Sequence, residues 1–230
     1  LPLNEVAQLV NGGLRVWQPD GRLVQTVDAA HAGAVTSIAL SRDGLRLATA
    51  GADGLLRLWT AADLKPLGEP LQGHKGTVSR LVFLADGRGI ASVGADDTLR
   101  LWDLRSGGAG RVLWQHSNNV LAVGASPDGR WIAAAGMGDQ LRLWDTTDER
   151  AEPRVLSPGR RAGFVAYDLV WHLMFSADGK QLASMTNDGR LRLWDLATGQ
   201  VSAESPRAPT GLNRAVAAYL PRDDAYRVVQ

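Results

Sequence analysis

The feature that most constrains this sequence is a short phrase that recurs five times. It reads Leu-Arg-Leu-Trp-Asp at residues 99–103 and recurs with small changes around Trp17, Trp59, Trp144 and Trp194. Successive tryptophans of the phrase lie 42, 43, 42 and 50 residues apart. A fixed period of this length predicts one supersecondary unit repeated along the chain, each copy burying its faces against the next.

Each unit is built from short aliphatic and β-branched runs that alternate with Asp-Gly turns, such as Asp43-Gly44 and Asp53-Gly54. This pattern predicts antiparallel hairpins, and no stretch shows sustained helical periodicity. Four strands per unit at this period are typical of propeller blades. The predicted fold is therefore an all-β β-propeller of four-stranded antiparallel blades. About five to six repeats lie in this chain, as part of a seven-bladed ring.

The predicted domain is a single propeller over residues 1–230, with an incomplete blade at each end. Complete blades are predicted at 31–73, 74–115, 116–157 and 165–205, and partial blades at 1–30 and 206–230. The fourth strand of the second unit is predicted from Pro66 to Leu71. An insertion from Ser157 to Phe164 accounts for the long step of 50 residues.

Both ends of the sequence break inside a blade. The predicted strands are seven fewer than seven four-stranded blades require. Alternatively, a strand from Ala215 to Leu220 pairs with Val6 to Val10 and closes a ring of five, which leaves a strand from Tyr226 to Val229 surplus. Because an open array would expose unpaired strand edges, we expect a segment of a longer propeller, or closure with another copy or a partner. Light scattering tests this, and a monomer with a closed five-bladed ring would contradict it.

The composition excludes several classes of function. The net charge is +1, which gives no reason to expect capture of nucleic acid or an anionic membrane. The chain has no cysteine, which removes disulfides, thiolate metal sites and thiol nucleophiles. No apolar run approaches the ~18 residues of a membrane span. We therefore expect a cytoplasmic protein without nucleic-acid or membrane partners.

The repeated units resemble the WD-repeat family of β-propellers, typified by the G-protein β subunit, and the likeness covers nearly the whole chain. In that family, a buried hydrogen-bonded tetrad comprises a His before the first strand, a Ser or Thr in the second, an Asp in the next turn, and the Trp. The resemblance implies two complete tetrads, one in the second unit and one in the third: His31, Thr49, Asp53 and Trp59, and His74, Ser92, Asp96 and Trp102.

The other units depart from the family's tetrad. The first has Ala7, Asn11 and Trp17, and the fifth keeps Ser184, Asp188 and Trp194 but has Ala166 in place of the His. The fourth keeps the His and the Trp, and has apolar residues at the other two positions: His116, Trp144, Ala134 and Gly138. A broken tetrad removes a network in which each polar group satisfies another. We therefore expect the fourth and fifth blades to be less rigid near the insertion.

A hydroxyl, a His and an Asp brought together also invite interpretation as a catalytic triad. The structural interpretation is favoured because the set repeats with every unit and the hydroxyl would be buried between blades. The Asp-Gly pairs form no calcium-loop series, the glycines at 107–110 are not followed by a phosphate-loop Lys, and no His-Glu-x-x-His array occurs. The sequence thus predicts no catalytic residue, no metal site and no cofactor.

The arginine of the recurrent phrase admits two interpretations. It could form a basic stripe, or its stem could pack between blades while its head reaches a carboxylate or solvent. The small net charge favours the second for the four arginines concerned: Arg57, Arg100, Arg142 and Arg192.

Partner binding is predicted on loops held by the rigid sheets. In the family, peptides and proteins bind the face that carries the loop before the first strand and the turn between the second and third strands. The matching candidates are Lys75, Asn118, Asn119, Tyr167, Asp168, Trp171 and Asn187. Trp171 stands where other units have Thr36, Ser79 and Leu121. It is either an interface hot spot or a filler of the space left by the missing His.

The sequence therefore favours a non-catalytic scaffold or sensor propeller that binds a protein or peptide. Its regular units resemble bacterial WD-repeat arrays attached to large signalling or defence proteins, which suggests a regulatory segment. One alternative is a propeller-fold enzyme with a site in the central channel, for which no converging ring of acidic or His residues is visible. Another is an oligomerising structural module, with self-association or further blades supplied by a longer chain.

Overall fold

The structure is a computed structural model that describes residues 6–10, 12–18, 20–106, 110–117, 119–137, 141–148, 152–157, 169–187 and 189–205. These residues form two compact units, one ending at Gln115 and the other beginning at His116. All regular structure in the described ranges is β-strand. The all-β prediction is confirmed.

The first unit contains three antiparallel sheets. The first sheet has three strands: β1 (Val6–Val10), β2 (Gly13–Trp17) and β3 (Leu23–Val27). The second sheet has four: β4 (Val35–Leu40), β5 (Arg46–Gly51), β6 (Leu55–Thr60) and β7 (Leu71–Gln72). The third also has four: β8 (Val78–Phe83), β9 (Gly89–Gly94), β10 (Thr98–Asp103) and β11 (Arg111–Gln115).

The second unit contains two four-stranded antiparallel sheets. One comprises β12 (Val120–Ala125), β13 (Trp131–Gly136), β14 (Leu141–Asp145) and β15 (Arg154–Leu156). The other comprises β16 (Val170–Phe175), β17 (Gln181–Thr186), β18 (Leu191–Asp195) and β19 (Val201–Glu204). In all five sheets each strand pairs with the next strand along the chain. This is the strand order of propeller blades, and each four-stranded sheet falls within one predicted blade.

The recurrent phrase forms the third strand of each four-stranded blade, and its tryptophan is buried. Trp102 is in a core with Leu81 and Ile90 of its own sheet and with Ala48 and Leu56 of the preceding sheet. In the second unit, Trp194 packs in the same way against residues of the fourth blade, Leu141 and Leu143 among them. Each blade therefore closes its core on a neighbour, as repeat proteins do.

In three blades, the turn between the first and second strands is held by a hydrogen bond from a Ser hydroxyl to an Asp carboxylate. In the second blade, the Ser41 hydroxyl donates to Asp43 Oδ1 at 2.5 Å, and the Leu45 amide donates to the same oxygen at 3.0 Å. Gly44 adopts a positive φ of 70°, which glycine tolerates best. The same Ser-x-Asp-Gly arrangement recurs in the fourth and fifth blades, where it begins at Ser126 and Ser176. These turns fix the end opposite the tetrad loops in the second, fourth and fifth blades.

The first strand of every four-stranded blade carries a β-bulge near its start. The strand register skips Thr36, Ser79, Leu121 and Trp171, each of which lies between two residues paired with the second strand. A bulge re-aims the side chain of the extra residue and bends the strand. The unusual Trp171 thus occupies the position at which each blade departs from regular pairing.

Two sequence expectations about strands are wrong. The fourth strand of the second blade covers only Leu71–Gln72, with a single bridge between Trp59 and Pro66, instead of running from Pro66 to Leu71. Pro66 and Pro70 lack the amide hydrogen that a ladder needs, and Gly68 takes a positive φ of 76° between them. The expected strands at 215–220 and 226–229 lie outside the described residues.

The second error concerns the register of the first blade. The spacing from Trp17 places Ala7 at the hydroxyl position, whereas the structure pairs Gln8 with Arg15, as Thr49 pairs with Arg57. Val10 pairs with Gly13, so a two-residue turn replaces the longer loop of the second blade. A shift of one residue moves every side chain to the other face of the strand. Gln8, not Ala7, therefore occupies the tetrad register in this blade.

Candidate functional site

Four side chains of the second blade form a continuous hydrogen-bonded network. His31 Nε2 lies 2.8 Å from Thr49 Oγ1, and Trp59 Nε1 donates to the same hydroxyl at 2.9 Å. On its other side, His31 Nδ1 lies 2.9 Å from Asp53 Oδ1. The hydrogen bonds expected for this tetrad are therefore all present.

The third blade repeats the network with a serine. His74 Nε2 lies 2.7 Å from Ser92 Oγ, Trp102 Nε1 donates to Ser92 Oγ at 2.7 Å, and His74 Nδ1 lies 2.9 Å from Asp96 Oδ1. Ser92 is fully buried and Trp102 is 1% exposed. The network lies inside the stack of sheets, directly beneath the loop that precedes the first strand.

The network of the third blade fixes the proton on the His74 imidazole. In the third blade the hydroxyl accepts from the indole N–H, so its own proton points to His74 Nε2. The imidazole proton then sits on Nδ1 and is donated to Asp96. The opposite tautomer would place a nitrogen lone pair against the carboxylate. Each polar group in this series of hydrogen bonds is satisfied by a neighbour, which is the arrangement that stabilises a buried network.

The electrostatics keep the His neutral and the Asp charged. Burial lowers the pKa of His31 and of His74, and it outweighs the nearby carboxylates. Burial acts to raise the pKa of Asp53, but hydrogen bonds led by those from His31 and Arg57 outweigh it and lower the pKa to about 2. The pKa of Asp96 is also lowered to about 2, against burial, by hydrogen bonds led by the Lys75 amide.

The two tetrads hold their aspartates by different additional donors, neither of which the sequence analysis assigned to a tetrad. In the second blade, Arg57 Nη1 donates to Asp53 Oδ2 at 2.9 Å and lies 2.8 Å from His31 Nδ1. In the third blade, the Thr98 hydroxyl donates to Asp96 Oδ1 at 2.8 Å. The signal was present in the sequence, since position 98 holds a hydroxyl where the second blade has Leu55.

The loop backbone also contributes to each tetrad. The Ala32 amide donates to Asp53 Oδ2 at 3.1 Å, and the Lys75 amide donates to Asp96 Oδ2 at 3.0 Å. Each aspartate therefore joins the turn after the second strand to the loop before the first. The two loops of a blade that are expected to meet a partner are held together by one carboxylate.

The remaining blades retain only parts of the network. In the fifth, Trp194 Nε1 donates to Ser184 Oγ at 2.9 Å, while Ala166 and Asp188 lie outside the described residues. In the fourth, fully buried Ala134 offers no hydroxyl, and Gly138 lies outside the described residues. In the first, the buried Trp17 Nε1 has no hydrogen-bond partner within the described ranges.

The arginines of the recurrent phrase meet carboxylates, as expected, in three blades. Arg57 pairs with Asp53 at 2.9 Å, and Arg100 Nε lies 3.8 Å from Asp96 Oδ2. Arg192, which is 2% exposed, has its Nε 3.7 Å from Glu204 Oε1. The prediction that these heads reach carboxylates is confirmed for these three residues.

The geometry of the tetrads argues against nucleophilic catalysis. Thr49 and Ser92 are fully buried, and each hydroxyl is engaged by both a His and a Trp. A nucleophile must be reachable by substrate and must face an oxyanion hole. Over the part of the chain that the structure describes, no group of three or more His, Asp or Glu side chains could hold a metal ion. No helix there could span a membrane.

Four of the seven candidate partner-binding residues are described, and all four are exposed: Lys75, Asn119, Trp171 and Asn187. Each lies at the end of its blade where the first strand begins and the second ends. Asn119 has a φ of 38° and its carbonyl accepts from Met137 N at 3.2 Å. Asn187 Oδ1 accepts from the Leu169 amide at 3.2 Å, so this side chain also supports its loop. Asn118, Tyr167 and Asp168 lie outside the described residues.

Trp171 is the most exposed of the described tryptophans, with 42% of its surface exposed. It is the bulged residue of β16, and Met174 on the same strand is 45% exposed. Trp171 therefore offers a large apolar surface to solvent, which fits an interface hot spot better than a buried filler.

Comparison with protein families identifies the repeats directly. The family profile described as "WD domain, G-beta repeat" matches residues 21–60, 64–103, 109–145 and 163–195. Each match ends at the Trp phrase of one blade or just beyond it, and together the matches cover more than half of the chain. A comparison with curated proteins found no match. The chain belongs to the WD-repeat family.

Proposed function

We propose that this chain is a non-catalytic scaffold or sensor that binds a protein or peptide through its loop face, the face that carries the loop before the first strand and the turn after the second strand. WD repeats generally mediate protein interactions, and proteins built from them are typically non-catalytic scaffolds. The proposal extends this to a regulatory segment of a larger signalling or defence protein in the cytoplasm. The regularity of the five Trp phrases supports it.

The observation that carries the proposal is the contrast between the buried networks and the exposed residues above them. Asp53 and Asp96 each bind the loop before the first strand through a backbone amide, at 3.1 and 3.0 Å. Exposed Lys75 then stands on a loop that loses little freedom when a partner binds, and exposed Trp171 stands in the paired strand β16 of the fifth blade. Pre-organised loops of this kind lower the entropic cost of association.

The test is affinity capture by the intact parent protein, with quantitative mass spectrometry of the bound proteins. Trp171→Ala and Lys75→Ala should each lower the amount of a partner protein that is captured, relative to the wild type. The matched controls are Leu45→Ala and Lys180→Ala, because both residues are exposed and lie in turns at the opposite end of a blade. The proposal is wrong if the controls deplete that partner as strongly as the two face variants do.

The alternative function, an oligomerising structural module, is tested by a separate measurement. Self-association, or completion by further blades of a longer chain, is checked by light scattering of the 230-residue chain alongside the intact parent protein. A chain that associates alone but not in the parent supports completion by the parent's own blades.

A further inference from the structure

Strand β8 carries an arginine that no part of the tetrad network uses. Arg80 follows the bulged Ser79, and its Nη1 donates to the Ser79 carbonyl at 3.0 Å and to the Thr36 carbonyl of the preceding blade at 3.4 Å. The side chain is partly buried. It therefore lies across the start of two first strands, at the end of these blades that carries the tetrad loops.

The donors of the guanidinium are only partly used. Of its five N–H groups, the two on Nη1 face the carbonyls of Ser79 and Thr36. Nε and Nη2 of Arg80 have no hydrogen-bond partner in the described ranges, and neither nitrogen is sealed from solvent. These two nitrogens form one edge of the planar guanidinium. Such an edge matches the paired oxygens of a carboxylate or phosphoryl group.

The charge of Arg80 is also uncompensated. No described carboxylate forms an ion pair with it, and burial alone lowers the pKa of its guanidinium. The arginines of the recurrent phrase differ, since Arg57 and Arg192 face Asp53 and Glu204. A charge taken partly out of water without a counter-charge costs free energy. An incoming anion would remove that cost and would bind in a site of reduced dielectric.

We propose that Arg80 receives an anionic oxygen group, a carboxylate or a phosphoryl, from the peptide or protein that binds this face. The inference rests on the proposed function and adds the chemistry of the partner. Exposed Lys75, which precedes β8 in the same blade, adds positive charge on the approach to it. The Asp96 carboxylate of this blade is already engaged by His74, Thr98 and the Lys75 amide.

The test follows the Nε–H resonance of Arg80 by nuclear magnetic resonance in the intact protein. The resonance is assigned by its loss in Arg80→Lys. Three short Gly-Ser peptides are titrated to millimolar concentration: one with two glutamates, one with phosphoserine, and one with glutamines. Saturable shifts with the glutamate peptide assign a carboxylate, and shifts with phosphoserine alone assign a phosphoryl group. No shift with either, or an equal shift with the glutamine peptide, overturns the proposal.

Variants give a second readout. Arg80→Gln should weaken binding of the effective peptide about tenfold or more, as the loss of a charge-assisted hydrogen bond requires. Arg105→Gln is the control, because Arg105 is exposed and pairs with Asp103 at the other end of the blade. Unchanged binding in Arg80→Gln overturns the proposal. The wild-type titration stands even if that variant unfolds.

The two proposals fail separately. Loss of a captured partner in Trp171→Ala but not in Arg80→Gln would leave the proposed function intact and contradict the anionic contact. If Trp171→Ala, Lys75→Ala and Arg80→Gln all leave capture unchanged, both proposals are wrong.

Discussion

At the scale of single residues, each complete tetrad solves the same problem with different donors. The aspartate must stay charged below the loop face, and hydrogen bonds lower the pKa of Asp53 and of Asp96 to about 2. Arg57 supplies the extra donor in one blade and Thr98 in the other. The Thr98 hydroxyl therefore makes the bond to the aspartate that Arg57 makes in the second blade. Arg100 Nη1 donates instead to the Gly110 carbonyl at 2.9 Å.

Removing the central hydroxyl of the third tetrad should destabilise the fold. Ser92→Ala leaves the Trp102 indole N–H and His74 Nε2 buried without the partner that now lies 2.7 Å from each. Unsatisfied buried polar groups of this kind cost about 1–3 kcal/mol. The change in unfolding free energy is measured by urea denaturation, with exposed Ser117→Ala as the control. A Ser92→Ala variant as stable as wild type would show that the hydroxyl is not a structural link.

Acid should weaken the fold in two steps. Because burial lowers the pKa of His31 and His74 from 6.5, the unfolded chain takes up protons below pH 6.5 that the folded chain does not. The free energy of unfolding therefore decreases as pH falls below 6.5, because the folded state holds these two His side chains neutral. Asp53 and Asp96 have a pKa of about 2 in the fold and 3.8 as the reference, so their contribution is present above pH 3.8 and is lost toward about 2.

Urea midpoints across this range measure the effect. In His74→Phe, the decrease in urea midpoint below pH 6.5 should be smaller, because phenylalanine cannot be protonated. A midpoint that stays constant from neutral pH to below pH 3.8 would contradict the assigned charge states.

The tetrads show how far residue-level prediction from sequence reached. His31, Asp96 and their partners could be placed because the resemblance to the WD-repeat family assigns each of them a position in the second and third units. The same alignment from Trp17 gave the wrong register in the first blade. Arg57 and Thr98 were missed as tetrad donors because their roles depend on which rotamer reaches the carboxylate. Arg80 was missed because its significance is a lack of partners, which only coordinates reveal.

At the scale of strands, the blades with complete tetrads should exchange their amide hydrogens more slowly. The hydroxyls of Thr49 in β5 and Ser92 in β9 link each strand to a His loop. In β13 the same position is Ala134, which forms no such link. Local opening is easier where fewer buried interactions resist it. Hydrogen exchange read by mass spectrometry should therefore show β5 and β9 protected for longer than β13.

The comparison has an internal control. Ser184 in β17 retains its bond to Trp194, so β17 should fall between β9 and β13. Equal protection of β9 and β13 would mean that packing of the sheets, and not the polar network, sets local stability.

Strand positions were easier to predict than strand pairing. Asp-Gly turns fix where most strands begin and end, and the strands from β8 to β11 all lie within the blade predicted at 74–115. The prediction failed where proline and glycine interrupt the ladder between Pro66 and Pro70. It failed again in the first blade, where a tight turn pairs Val10 with Gly13. Both failures concern backbone hydrogen bonds, which hydrophobic periodicity does not encode.

At the scale of the whole molecule, the repeats make stability a property of blades and of the contacts between neighbours. Cores form between adjacent sheets, as between the second and third blades around Trp102 and between the fourth and fifth around Trp194. Arg46 Nη2 also crosses from the second blade to the Gly87 carbonyl at 2.6 Å. Such nearest-neighbour coupling lets local opening spread to the next blade and fade beyond it.

Substitution in one blade should therefore have a graded effect along the chain. Ser92→Ala should accelerate amide exchange most in β8 to β11 and less in β4 to β7, which share a core with that blade. It should leave β16 to β19 unchanged, because the core of those strands is formed with the fourth blade. Exchange measured on the intact protein in mild denaturant gives the profile. A uniform acceleration in every blade would show a single cooperative unit, and the loops of the partner-binding face would then respond together to a change in any blade.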